Sequence, residues 1–378
     1  MRTNWLKQRR TRVVVLLLAV VVVVSNLVHV GTYELLPGDA QPLAPMISIT
    51  GAVTDPHPHA TKAGFMMVDV SLKQMTVWSR TLAELRGATN MVDLSALVPP
   101  GSSFEDFGRQ SYLDMERSKE AAEFNAFSAL GWDIPPTARG ALVNDTTSAG
   151  PARRAGVEIA DRIVSVNGIS TSDSCAAIRI LHDLRPGSKV SVGFEHAKIS
   201  TAGVISYRPV KTVQITTAKP PTTVGIPTCP GINSVAKSWI GVVLSDAVVY
   251  NFPATVTIDT NYIGGPSAGL AMSLALIDQL SSGSLSGGRK VAVTGELALN
   301  GVVGDIGGIA QKTQAAITAG ATVFLVPVNQ VGEARRAAQG KLRVVGAYRL
   351  TDVLTKLRQM GGDAPIPYTK PNFLAKRL

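Results

Sequence analysis

From Val13 to Val30 the chain is nearly all Val, Leu and Ala, broken only by Ser25, Asn26 and His29. As a helix at ~1.5 Å per residue this run spans about 27 Å, against ~30 Å for a bilayer's hydrocarbon core. Arg2, Lys7, Arg9, Arg10 and Arg12 all precede it, the asymmetry that keeps an N-terminus in the cytoplasm. An uncleaved anchor and a cleaved signal peptide both fit such a run. No small-x-small pair such as A-x-A follows it, which favours the anchor. The expectation is a cytoplasmic tail over 1–12, a transmembrane anchor over 13–31 and a single-pass cell-membrane protein. Everything after about residue 32 then lies outside the cytoplasm.

The 37 basic and 27 acidic residues leave a net charge of +10. Five of the basic residues precede the apolar run, and Lys370, Lys376 and Arg377 lie at the far end. The stretch between is close to balanced, so the basicity reads as topology and not as nucleic-acid binding. Cys175 and Cys229 could form a disulfide in an oxidising compartment, or stay as two buried thiols. Two thiols without nearby histidines make a poor zinc site. His57 and His59 fall in a Pro/His loop that reads as solvated. No metal or cofactor is expected.

Residues 32–120 form a mixed N-terminal extracytoplasmic region. Short strands are expected at 66–70 and 74–78, a turn at Pro99-Pro-Gly101 and a helix from Met115 to Gly131. A compact unit follows over 121–205. Ala141-Leu-Val143 is a strand, and Asp161 to Gly168 is a strand ending in an Asn-Gly turn. A helix runs from about Ser172 to Leu184, and Val190, Val192 and Phe194 alternate as a further strand. Residues 201–238 read as a Thr/Pro-rich connector. The α/β part, placed at 206–364, is expected to have strands at 239–244, 254–259, 291–294 and 322–326. Its helices are expected at 267–280, 309–319 and 331–339. A basic tail, 365–378, ends the chain.

Gly265-Pro-Ser267-Ala-Gly269 is the sharpest local motif. Small residues let a substrate backbone approach the serine, and the N-terminus of the following apolar helix supplies free N–H groups and positive partial charge. These are the requirements of a nucleophile beside an oxyanion hole. The motif also fits the G-x-S-x-G elbow of α/β-hydrolases, which needs a later histidine. The five histidines are His29, His57, His59, His182 and His196, and none follows Ser267. A base must then be a lysine whose burial favours the neutral amine. Among the lysines after Ser267, Lys312 stands out, in the first turn of an alanine-rich helix. A rival pair, Ser234-Val-Ala-Lys237, fits S-x-x-K, but no K-T-G or S-D-N partner follows it.

The run "AGPARRAGVEIADRIVSVNGI" resembles a bacterial, circularly permuted PDZ domain, with Ala160 where a glycine usually precedes Asp161. That resemblance implies binding of C-terminal peptides by strand addition, with Leu130-Gly131 as a candidate carboxylate loop. "GGPSAGLAMSLALIDQL", "VAVTGELALNGVVGDIGGIAQK" and "AAITAGATVFLVP" resemble the proteolytic domain of Lon proteases. The resemblance implies a Ser–Lys dyad, matching Ser267 and Lys312. It further implies that Thr294 positions the lysine and that backbone near Gly265, Pro266 and Ala268 holds the oxyanion. Gly264 stands where many Lon enzymes carry an acidic residue. The whole layout resembles the bacterial membrane-anchored PDZ-containing Lon-like serine proteases.

The expected fold is thus α+β multidomain: an N-terminal transmembrane helix, a PDZ-like domain and a C-terminal Lon-type α/β proteolytic domain. The chain has no G-x-x-x-x-G-K-[ST] loop, so the implied activity is ATP-independent cleavage of loosely folded extracytoplasmic or membrane proteins. Protein or peptide substrates are the expected partners, and homo-oligomers are implied by resemblance. The alternative is a membrane-tethered PDZ scaffold with an inactive Lon-like part.

Overall fold

The structure is a computed structural model that describes residues 2–51, 64–98, 102–200, 204–363 and 366–367. The Pro/His loop with His57 and His59, the Pro99-Pro-Gly101 turn and most of the basic tail lie outside the described residues. The chain divides into two compact units, residues 1–38 with 70–100 and residues 39–69 with 101–378.

The first unit contains the helix Arg2–Leu27. The expectation of a transmembrane helix over 13–31 is corrected here. Ser25 Oγ and Asn26 Nδ2 both turn back onto the Val22 carbonyl, the helix ends at Leu27, and a strand, His29–Pro42, begins at once. The apolar part of the helix, from Val13, rises only about 22 Å. Among the described residues no helix is long and apolar enough to cross a membrane. The two short strands expected at 66–70 and 74–78 are one strand, Phe65–Thr76, which passes between the units. Thr76 then caps the helix Val77–Leu85 through a capping box with Ser79, so Trp78 is helical.

Besides a smaller cluster that packs Leu113 with Leu142, Ala160 and Ala247, the second unit is built on two sheets, each with its own core. One is a parallel sheet in which Val291–Val293 lies between Phe65–Met67 and Val323–Leu325, and Val323–Pro327 pairs in turn with Arg343–Ala347. Its strands are apolar on both faces because both are covered. Val323 and Leu325 pack with the helices Phe104–Ala129 and Gly269–Leu280. Phe324 and Val326 pack on the other face, with Ile309 and Ala316 of the helix Ile309–Thr318 and Ala334 and Ala338 of the helix Val331–Ala338. The core is drawn from three stretches of chain: Leu43, Ile47, Phe65 and Met67; Met115, Ala122 and Phe127; and residues from Ala254 to Met360.

The other core is an antiparallel sheet ordered Lys211–Thr216, Lys189–Glu195, Arg162–Val166, Pro136–Thr146, Val242–Tyr250. Val190, Val192 and Phe194 alternate inward, and Ala177 and Leu181 of the helix Ser174–His182 join them. Asn167 and Gly168 both adopt positive φ (52° and 75°), the backbone an Asn-Gly hairpin turn requires. Ala160 has φ 73°, which accounts for the glycine usual at that position. Two strands of this sheet come from the expected connector and from the segment after it. Cys175 and Cys229 form a disulfide, with their Cα atoms 5.5 Å apart.

Candidate active site

The second unit positions Ser267 by packing glycines against a helix. Gly265 has φ 92° and ψ 161°, a conformation that only glycine adopts without cost. Pro266 follows at the first helical position, where its missing N–H is no loss. One turn of 3-10 helix, Pro266–Ala268, runs into Gly269–Leu280. The long helix Phe104–Ala129 holds this turn from one side. The Gly265 N–H donates to the Ser111 carbonyl at 2.8 Å, and Ser118 Oγ donates to the Pro266 carbonyl at 3.0 Å. From the other side, the Gly295 N–H (2.9 Å) and Thr294 Oγ1 (3.2 Å) both donate to the Ser267 carbonyl.

Lys312 comes from the first turn of Ile309–Thr318, which Gly308 opens in a left-handed conformation, φ 69°. Its Nζ donates to Ser267 Oγ at 2.8 Å and lies 3.5 Å from Thr294 Oγ1. The side chain is 3% exposed. Burial pushes the amine down to about 8, opposed by the negative charge of Asp69. Asp69 is itself raised, chiefly by burial, while the Asp39 N–H that donates to it at 2.8 Å works in the opposite direction. At pH 7 about a tenth of the lysine is neutral, against well under a thousandth for an unperturbed one. Such an amine can take a proton from the hydroxyl it touches.

Of the residues expected around the serine, Thr294 lies between Ser267 and Lys312. Gly265 has spent its N–H on Ser111, and Pro266 has none to give. That leaves the Ser267 N–H, ahead of the first i→i+3 bond of the 3-10 turn Pro266–Ala268, as the donor on this side of the serine. Ser111, Ser118, Gly295 and Asp69 support the site and were not singled out from the sequence. For Ser111 and Ser118 the only local signal is the seven-residue spacing they share with Asn125; Asp69 and Gly295 carry none. Asn125 also points this way, donating to the Ala298 carbonyl at 3.0 Å.

The other candidates do not assemble. Lys237 Nζ turns to Asp183 at 3.1 Å. Ser234 Oγ lies 3.4 Å from His182 Nε2. His196 sits beside Asp161 at 3.1 Å, inside the antiparallel unit. Leu130 is buried in the core around the parallel sheet, against which Tyr250 of the antiparallel sheet's edge strand also packs. Among the described residues no group of three or more His, Cys, Asp or Glu side chains could hold a metal ion.

Comparison with known proteins adds two domain assignments. Residues 260–359 match the family model of the Lon protease (S16) C-terminal proteolytic domain, and residues 128–202 match that of the PDZ domain. A Lon protease of Trichlorobacter lovleyi is 37% identical over 111 residues, 28% of this chain and 13% of that protein. Lon protease 2 of Bacillus subtilis is 39% identical over 77 residues, 20% of this chain and 13% of that protein. The matches therefore span about an eighth of these relatives. The PDZ domain of an SdrC-like protein from Listeria monocytogenes aligns with 28% of this chain and 86% of its own, at 16% identity and TM-score 0.21, too low to carry an argument. The chain thus carries a segment similar to the Lon proteolytic domain, whose relatives are serine peptidases, within the parallel-sheet core, and a segment similar to the PDZ domain within the antiparallel sheet.

Proposed function

We propose that this chain is a serine endopeptidase that works without ATP on loosely folded protein segments, with Ser267 as nucleophile and Lys312 as base. The observation that carries the reading is the 2.8 Å contact between Lys312 Nζ and Ser267 Oγ at a buried, down-shifted amine. Neutral Lys312 takes the hydroxyl proton as Ser267 Oγ attacks a peptide carbonyl. The Ser267 N–H, at the start of the 3-10 turn, faces the oxyanion. Lys312 then gives its proton to the leaving amine, and water, deprotonated by the same lysine, hydrolyses the acyl-enzyme. Thr294 Oγ1 bridges the serine carbonyl and the amine, which fixes the lysine's approach.

The absence of a phosphate-cradling loop in these residues supports ATP independence and, with it, a preference for chains that need no unfolding. The strand Val242–Tyr250 is the last in its sheet and lies under the helix Ser174–His182, which suits a peptide added as a further strand. The disulfide supports work in an oxidising compartment. The test is digestion of unfolded casein by the full chain without nucleotide. Ser267→Ala and Lys312→Ala should each lose at least a thousandfold in rate. Equal cleavage by Ser267→Ala would sink the assignment.

A further inference from the structure

A groove of about 540 Å³ lies between the long helix Phe104–Ala129, the edge strand Val242–Tyr250 and the hairpin that follows Thr294 and Gly295. Tyr250 and Phe252 form one wall, with ring centroids 5.9 Å apart, and Leu297 and Ala298 form another. The groove shares two supports with the nucleophile turn. Ser118, which holds the Pro266 carbonyl, is two residues before Glu120 on the same helix. Leu297 lies so close to Gly269 that a Cβ there would stand 3.0 Å from the leucine's own.

Nearly every charged group lining this groove already has a partner. Glu116 is paired with Lys119 at 2.8 Å. Arg117 donates to Ser245 at 2.9 Å and to Asn144. Arg162 is paired with Glu195 at 2.8 Å and stacks over Tyr207. Asp246 accepts from Ser174 N–H and Oγ. Glu120 is the exception: among the described residues nothing donates to its half-buried carboxylate. Burial pushes it up to about 7, and Glu123, one turn on, up to about 8. Arg117 offsets that shift only in part and spends its own hydrogen bonds on Ser245 and Asn144, so the carboxylate has no ion pair.

We propose that this groove binds a lysine or arginine side chain of the substrate, with Glu120 as its ionic partner and Tyr250 as the ring against its stem. The inference rests on the endopeptidase reading for the word substrate, but the site itself does not. Charge complementarity selects the occupant. The stretch of chain that builds the groove is close to charge-balanced, so the acid that selects a basic side chain is a local one, Glu120.

Two measurements on the full chain separate the two ideas. In the first, Ser267→Ala protein is titrated with a pair of fluorescent ten-residue peptides that differ only in a central lysine or norleucine. The lysine peptide should bind at least fivefold more tightly, and the contrast should vanish in Ser267→Ala/Glu120→Gln. In the second, active protein digests unfolded casein and the cut sites are mapped. Lysine and arginine should be enriched within a few residues of the cut bond, and Glu120→Gln should lose that enrichment. A binding contrast without Ser267-dependent cleavage keeps the groove and removes the peptidase reading. Cleavage with no lysine preference in either measurement overturns the groove. Equal preference in wild type and Glu120→Gln does the same. Thermal melting of Glu120→Gln checks that the variant is folded.

Discussion

Lys312 shows what a buried base costs. Its drop from 10.5 to about 8, at ~1.4 kcal/mol per pH unit, is about 3 kcal/mol. Below pH 8 the folded chain must bury an ammonium that the unfolded chain leaves in water, so the whole penalty is present there. It fades as pH rises from 8 toward the unfolded value near 10.4, because over that range the unfolded state binds more protons. Lys312→Met should therefore abolish cleavage yet raise thermal stability at pH 7, by about 1–3 kcal/mol after the lost Ser267 contact is set against it. The gain should shrink by pH 10. For the wild type, kcat/KM should rise with pH through about 8 as the amine becomes neutral. A flat profile from pH 6 to 9 would exclude Lys312 as base. Gly264 is governed by space. A Cβ there would lie 2.2 Å from Ser111 Oγ, 3.1 Å from its Cβ and 3.2 Å from its backbone carbonyl carbon. Any side chain at this point has to displace Ser111 Oγ and press on the backbone of this helix. Gly264→Asp should cost about 1–3 kcal/mol and at least tenfold in kcat/KM. Ser111→Gly in the same chain should recover part of both, as a double-mutant cycle would measure.

The element that organises the site is the helix Phe104–Ala129, and its start was the hardest boundary to read. Sequence periodicity places it at Met115, but the structure begins it eleven residues earlier, at a capping box in which Ser103 Oγ accepts the Asp106 N–H and Asp106 accepts from the Ser103 N–H. The usual signature has Glu or Gln at the third position. Aspartate in its place, with Gly108 just inside, hides the signal. Arg153 then pairs with Asp106 at 2.8 Å, so the cap is also tied to the antiparallel sheet's neighbourhood. Ser103→Ala should lower stability by about 1 kcal/mol, read as a shift in denaturation midpoint without a change in slope. The helices Gly269–Leu280, Ile309–Thr318 and Val331–Ala338 were legible because their signals are local: a glycine-rich entry, an apolar stripe, a glycine or polar exit. The structure brings Ser267 and Lys312, both at such local signals, within 2.8 Å of each other. Ser111, Ser118 and Asp69 were not legible, since each looks like an ordinary helix or strand residue until chain far away in sequence folds against it. The N-terminal helix failed for the opposite reason. Composition marked the apolar run, but composition does not say that the helix stops at Leu27.

At the scale of the second unit, the antiparallel sheet occupies residues 136–250 between two parts of one core. The chain leaves the parallel-sheet core after Phe127 and Ile134 and returns to it at Phe252. Sequence order suggested domains in series, because the pairing of Pro136–Thr146 with Val242–Tyr250 is too non-local to leave a trace in local pattern. The return path is tied by one covalent link. Cys175 sits on the helix Ser174–His182, and Cys229 sits in the segment that leads back to Val242. The segment's other holds on the helix and its C-cap are polar: the Lys237 N–H on the His182 carbonyl, Ser238 Oγ on the Leu181 carbonyl, Ser234 beside His182 Nε2, Arg179 on the Pro230 carbonyl and Lys237 Nζ on Asp183. A crosslink with a sequence separation of 54 removes about 4 kcal/mol of loop entropy from the unfolded chain on the entropic account. Replacing both cysteines by serine should lower stability by about 2–4 kcal/mol and open residues 217–238 to limited proteolysis. The Ser267–Lys312 contact lies in the other core, which this segment does not build, so cleavage of a short peptide should keep more than half its rate. Loss of peptide cleavage in step with the loosening of residues 217–238 would show instead that the two cores fold as one.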